Sequence, residues 1–304
     1  MSPRMRVLSI VVTLAAFAAV QTSLAIEQTP AGAFPAGKRD VLGQVTITGH
    51  AELARNLSKF VYQIAATENT EGLPRWNIPV CPLVTGLSRQ EGELILERVS
   101  EIARAARVPL AGERCRPNLY VVVIADPEKA LAELGFRKRA TLFGETGGSV
   151  IREFIDTARP VRVWYSSAMT DPLGAPPSKL LSCTSGPLCN APLFEHVQPT
   201  HLSFNRIWNL SRVVVIVDKS RLTAVSPGQL ADYAAMVGLA EIRPQARLDD
   251  ARTILRLFDS ASAAAPVGMS DWDRGFLKSL YATPQKSTQQ RSEIAHIMLA
   301  ELAH

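Results

Sequence analysis

Two short runs constrain this chain most: Asn118 to Ala125 (NLYVVVIA) and Arg212 to Val217 (RVVVIV), whose centres are unbroken valine and isoleucine. A strand with one wet face alternates apolar and polar residues. A strand that is apolar at every position is covered on both faces. The chain therefore needs a sheet with material packed above and below it. Val161 to Tyr165 (VRVWY) alternates and reads as a further strand, and Val45 to Thr48 alternates as a short one.

Helical signals surround these strands. Leu53, Leu57, Phe60, Val61 and Ile64 recur at helical spacing over Ala51 to Ala66. Pro74 to Pro82 (PRWNIPVCP) is too rich in proline for a helix and suits an edge strand or an extended segment. Ser88 with Glu91 forms a capping box, opening a helix with Ile95, Val99, Ile102 and Ala106 on one face. Asp126-Pro127 starts a helix that runs to Leu134, and the basic, glycine-rich residues 137–150 read as a loop. Residues 167–205 form a long irregular stretch. Ser226-Pro227 caps a helix ending at Gly238, residues 252–258 form a short helix, and Ser270 caps a helix over Asp271 to Tyr281. A last helix spans about 287–302. The fold class expected is α+β, a mixed sheet with packed helices followed by a helical C-terminal part.

The first 25 residues have the pattern of a cleavable export signal. Arg4 and Arg6 precede an apolar run from Val7 to Val20, and Ser23-Leu24-Ala25 supplies the small residues of a cleavage site. The run is short of the roughly 20 apolar residues that a spanning helix needs. No cysteine stands at the cleavage point, and no later segment is long and apolar enough to span a bilayer. A periplasmic or secreted mature protein without a stable membrane span is expected. The domain plan is then a signal at 1–25, a flexible lead-in at 26–40, a strand-helix segment at 41–75 and an α+β domain at 76–304.

Removing the signal leaves 31 basic against 28 acidic residues, with no basic stripe interleaved with aromatics, so a nucleic-acid partner is not expected. In an oxidising compartment the four cysteines read as disulfides, with Cys81–Cys115 and Cys183–Cys189 preferred among three pairings. The first would close about 35 residues, worth roughly 4 kcal/mol in loop-closure entropy. A competing reading is a metal knuckle from Cys183, Cys189, His196 and His201, but its spacing lacks the tight turn that lets two thiolates share one zinc.

The stretch RVVVIVDKSRLTAVSPGQLADYAAMVGLAE, Arg212 to Glu241, runs strand, turn, helix, Gly-Leu. It resembles the active-site segment of the metzincin branch of zinc peptidases, whose pattern is H-E-x-x-H-x-x-G-x-x-H. That chemistry needs two imidazoles one turn apart, a carboxylate beside the first, and a glycine turn that brings in a third ligand. With the glycine at Gly238, the two histidine positions hold Ala231 and Ala235, the glutamate position Asp232, and the third-ligand position Glu241. Downstream, Met269 to Tyr281 (MSDWDRGFLKSLY) looks like the family's next segment, with Ser270, Asp273, Leu280 and Tyr281 in place. The resemblance covers about 70 residues, extends to families of uncharacterised exported bacterial proteins, and implies a zincin-like frame without its zinc ligands.

No G-x-S-x-G elbow, Walker loop or G-x-G-x-x-G is present, and Gly144 to Gly148 (GETGG) lacks the frame of a phosphate cradle. Asp249-Asp250 reads as a solvated helix start. Asp232 has two readings: a buried acid that needs a partner such as an arginine, or an exposed or structurally paired one. Trp272 and Tyr281 read as packing residues. The expected function is a non-catalytic exported domain that takes a peptide, envelope component or partner protein in the degenerate cleft, with no cofactor. Two alternatives are a metal-dependent hydrolase using His196, His201 and Glu241, and a structural part of an envelope assembly.

Overall fold

The computed structural model describes residues 38–65, 72–134, 143, 148–171, 207–243, 246, 248, 252–259, 265–285 and 289–303, with the side chains of 38–48 and 148–149 excepted. The chain divides into two units, 1–44 and 45–304. The sheet and all the helices, apart from the first turns of the opening one, belong to the second unit.

The elements run α1 (Lys38–Ile64), β1 (Pro82–Thr85), α2 (Arg89–Ala105), β2 (Leu119–Ile124), α3 (Pro127–Ala132), α4 (Gly148–Asp156), β3 (Val161–Thr170) and β4 (Ile207–Asp218). There follow a 3-10 turn (Lys219–Leu222), α5 (Pro227–Leu239), a second 3-10 turn (Ile254–Phe258), α6 (Asp271–Ala282) and α7 (Gln290–Leu302). The four strands are ordered β1-β2-β4-β3. β1, β2 and β4 are parallel, and β3 joins β4 antiparallel at the edge. This is a mixed α+β fold, with a sheet packed against helices and a helical C-terminal part.

The two apolar runs are the central strands, and their side chains divide between two cores. On one face Leu119, Val121 and Val123 of β2 and Val213, Val215 and Val217 of β4 meet α1, α2, α5, α6 and α7. On the other, Val214 and Ile216 meet Leu131, Phe143, Ile155 and Trp164. Each such side chain taken fully from water contributes about 1.5–3 kcal/mol. Arg162 of β3 points to this smaller core and is almost fully buried. Its guanidinium pairs with Glu128 and donates to the Thr157 carbonyl at 3.1 Å, so the charge is matched.

β1, α2 and β2 form a strand-helix-strand unit, in which β1 begins only at Pro82; the segment 74–81, expected as an edge strand or extended segment, holds just isolated bridges at Arg75 and Val80. Both bonds of the Ser88–Glu91 capping box are made, and Ile95, Val99, Ile102 and Ala106 are buried. The Cys81–Cys115 disulfide closes the unit just ahead of both strands, with Cα atoms 6.0 Å apart. Gly86, after β1, sits at φ 88°, and a Cβ there would run into the Val123 carbonyl, so only glycine fits.

Several expectations are corrected. Val45 to Thr48 is not a strand but part of α1. Four alternating residues have no partner strand, whereas a helix bonds within itself and extends through them from the amphipathic stretch beyond. Of the flexible lead-in expected at 26–40, residues 38–40 are helical, and 26–37 lie outside the described residues. Of the loop expected at 137–150, residues 148–150 are helical and open α4. β3 runs on to Thr170 and β4 starts at Ile207, both beyond the apolar runs that signalled them, with a bulge at Ser166/Ser167. The signal peptide, Cys183, Cys189, His196, His201 and Asp249-Asp250 lie outside the described residues.

Candidate functional site

α5 begins as its sequence dictates. Ser226 and Gln229 make both bonds of a capping box, and Pro227 occupies the first turn, where its missing N–H costs nothing. The helix is then sunk into the molecule. Ala231 and Ala235, at the two histidine positions of the peptidase pattern, are fully buried in the larger core. Gly238 is helical rather than the terminating turn, because the helix continues through Leu239. Its small size serves packing: a Cβ would lie 2.9 Å from Leu119 Cδ1 of β2.

The C-terminal end of α5 leaves into extended backbone at Ala240, without a glycine cap. A buried helix end still needs donors for its last carbonyls. Three aromatic side chains from three parts of the chain supply them. Tyr165 of β3 donates to the Val237 carbonyl at 2.9 Å, Trp76 Nε1 to Gly238 at 2.8 Å, and Tyr281 of α6 to Leu239 at 2.6 Å. The Tyr165 hydroxyl also accepts the Ile242 N–H at 3.2 Å, and that of Tyr281 accepts the Trp76 N–H at 3.2 Å. Burial pushes the Tyr165 hydroxyl well up, with the nearby Glu241 charge adding to the shift, and lifts that of Tyr233 to about 12. Both hydroxyls stay neutral at ordinary pH, and that of Tyr165 serves as a hydrogen-bonding group.

Asp232 faces away from β3. Its Oδ1 accepts from Arg98 Nε of α2 at 2.7 Å and its Oδ2 from the Met269 N–H at 2.7 Å. The carboxylate so ties α2, α5 and the approach to α6 together, and Gly268 leaves it room, since a Cβ there would stand 2.9 Å from Oδ2. The side chain is buried rather than exposed, and its pairing with Arg98 is both the arginine partner of the first reading and the structural ion pair of the second. Asp273 plays a like part in α6: its carboxylate accepts from Thr253 Oγ1, the Ile254 and Ser270 N–H groups and Ser270 Oγ. Trp272 packs against Phe60 of α1, with centroids 5.4 Å apart.

Glu241 is different. Its Oε2 is buried and has no hydrogen-bond partner. No opposite charge offsets the burial, which by itself raises the carboxyl to about 7. A separate cavity of about 80 Å³, which Glu241 does not line, lies between β3 and the chain leaving α5, walled by Val161, Val163, Tyr165, Tyr233, Ile242 and Arg243 among others.

β3 completes the arrangement. The Asp218 N–H bonds to the Pro160 carbonyl at 2.9 Å, so the bonded pairs of this antiparallel ladder fall at Arg162 and Trp164. Val161, Val163 and Tyr165 therefore turn their N–H and C=O groups to the outer edge. Among the described residues no strand pairs with that edge.

Among the described residues no group of three or more histidine, cysteine, aspartate or glutamate side chains is arranged to hold a metal ion. His50 and His296 are exposed on α1 and α7. The proposed ligand positions are thus divided: Ala231 and Ala235 in the core, Asp232 in an ion pair, and Glu241 alone near β3. The aromatic donors Trp76, Tyr165 and Tyr281 were not singled out as site residues from sequence. The signal that could have found them is a helix ending in Gly-Leu-Ala with no capping glycine beyond. No protein-family model, no curated protein and no solved structure matches the chain.

Proposed function

We propose that the mature protein is an exported, non-catalytic domain on a zincin-like frame that binds an extended peptide by adding it to the outer edge of β3. The observation that carries this reading is the run of outward N–H and C=O groups at Val161, Val163 and Tyr165, bordered by the cavity and by α5. An edge of this kind offers main-chain affinity to any extended chain, and pockets beside it add side-chain selection. An antiparallel edge strand lying beside the helix that follows the central strand is also the relation that a zincin-like cleft requires. With Ala231 and Ala235 in place of imidazoles, zinc-bound water has no seat on α5.

Two measurements test the proposal. Purified, untagged mature protein is dialysed against zinc and its metal content determined; no retained metal is expected, and one tightly held zinc per chain would overturn the non-catalytic reading. Displayed dodecapeptides are then selected on the protein with its disulfide intact. Val163→Pro removes an outward N–H while leaving the β3–β4 bonds, so it should abolish capture in a protein that still folds. Capture that survives V163P would refute edge addition.

A further inference from the structure

Where α2 ends, the chain makes a full Schellman turn. The Arg107 N–H bonds to the Arg104 carbonyl at 3.0 Å, and the Val108 N–H to that of Ala103 at 2.8 Å. The residue that closes such a turn takes left-handed backbone, which glycine adopts at no steric cost. Arg107 fills it, at φ 61°. The turn at Arg114, with φ 58°, repeats the choice. Among the described residues these are the only two outside glycine with such backbone. An arginine is strained there, so its presence calls for a use of the side chain.

Both side chains are exposed, as are those of Arg104 and Arg116. Among the described residues none of the four belongs to an ion pair. The helix dipole favours a cation at Arg104, in the last turn of α2, but Arg114 and Arg116 lie on the loop beyond. The local acids are Glu101, paired with Arg98 at 3.3 Å, and Glu113, so positive charge is left in surplus. Backbone contacts gather these pieces. Val80 donates to the Pro109 carbonyl and accepts from the Ala111 N–H, both at 2.9 Å. Asn118 Nδ2 donates to the Pro79 carbonyl at 3.0 Å, and the Cys81–Cys115 bridge locks the two segments together. Ile78, on the same segment, is 45% exposed.

Guanidinium groups suit phosphate, which they can hold through two parallel bonds. None of the four lines a described cavity, so they face an array of phosphates rather than a single enclosed ligand. The segments 78–81 and 104–118 hold no aromatic residue on which a base could stack. They do hold an exposed isoleucine, and an apolar tip among cations suits the headgroup layer of a bilayer. We propose that Arg104, Arg107, Arg114 and Arg116, with Ile78, dock the mature protein on an anionic phospholipid surface. This is peripheral binding, which needs no spanning helix, and it is independent of the edge-addition reading. The patch lies by β1, the outer strand opposite β3, so docking there does not cover the β3 edge.

The test sediments untagged mature protein, with its disulfide intact, with vesicles of phosphatidylcholine alone or mixed with phosphatidylglycerol. Binding should require phosphatidylglycerol and fall as salt is raised. Each arginine near such a surface adds about fivefold in partitioning. Arg107→Gly with Arg114→Gly should therefore bind about twentyfold more weakly. Its urea midpoint should stay at or above that of wild type, because glycine relieves both turns. Arg107→Lys with Arg114→Lys keeps the charge and should bind within about threefold of wild type. Should the glycine pair lower the midpoint, Arg104→Gln with Arg116→Gln reads the same surface without touching either turn. Equal binding to both kinds of vesicle, or binding that survives loss of the arginines, overturns the proposal. So does capture by polyglutamate without capture by phosphatidylglycerol vesicles, which would give the patch to an acidic protein.

Discussion

Replacing Glu241 by glutamine tests how the site is held independently of any ligand. Burial raises the carboxyl from 4.5 to about 7. Between those values the unfolded chain has released its proton while the folded chain keeps it, so stability falls as pH rises. At about 1.4 kcal/mol for each pH unit, the loss reaches about 3 kcal/mol above pH 7, an upper figure because the residue keeps some solvent contact. Below pH 4.5 both states are protonated and the contribution vanishes. Glu241→Gln removes this titration alone. The readout is the difference in unfolding free energy between variant and wild type, taken from urea melts with the disulfide intact. It should shift in the variant's favour by about 2.5 kcal/mol between pH 5 and pH 8. The absolute difference also contains the cost of the buried amide, so only its pH dependence is diagnostic. A difference that stays flat across that range would mean that Glu241 is not a buried, unpaired acid.

Three further outcomes are expected. Arg98→Ala leaves Asp232 buried without its cation; because Arg98 is itself partly exposed, the cost should be about 1–3 kcal/mol in a urea melt, and an unchanged melt would mean that Asp232 does not depend on this pair. Gly238→Ala and Gly275→Ala should move stability in opposite directions: the first forces a Cβ against Leu119 and costs about 1–3 kcal/mol, whereas the second meets Met298 Cγ at an ordinary 3.6 Å and should gain up to about 1 kcal/mol from helix propensity. If the signal at 1–25 is processed as proposed, intact-mass measurement of protein recovered from outside the cytoplasm should place the N-terminus at Ile26, and retention of Met1 would refute cleavage.

The features legible along the chain are those whose physics is local. Unbroken valine runs marked β2 and β4, and Ser88, Ser226 and Ser270 marked three helix starts, because a capping box is closed within four residues. The Cys81–Cys115 bridge was one of three pairings open to the sequence, preferred because Cys183 and Cys189 would close a short loop of their own, and the fold makes it. Where the local signal was short, as at Val45 to Thr48, it named the wrong element, since alternation says nothing about whether a partner strand exists. The roles of the acids, by contrast, were settled by tertiary contacts. Asp232 and Glu241 stand nine residues apart on one segment, yet Arg98 and the Met269 N–H reach only the first. Tertiary contacts also settled how α5 ends, with donors from Trp76, Tyr165 and Tyr281, which are scattered over more than 200 positions. Whether a charge is matched or a carbonyl satisfied depends on which distant groups the fold brings within about 3 Å, and no spacing along the chain encodes that distance.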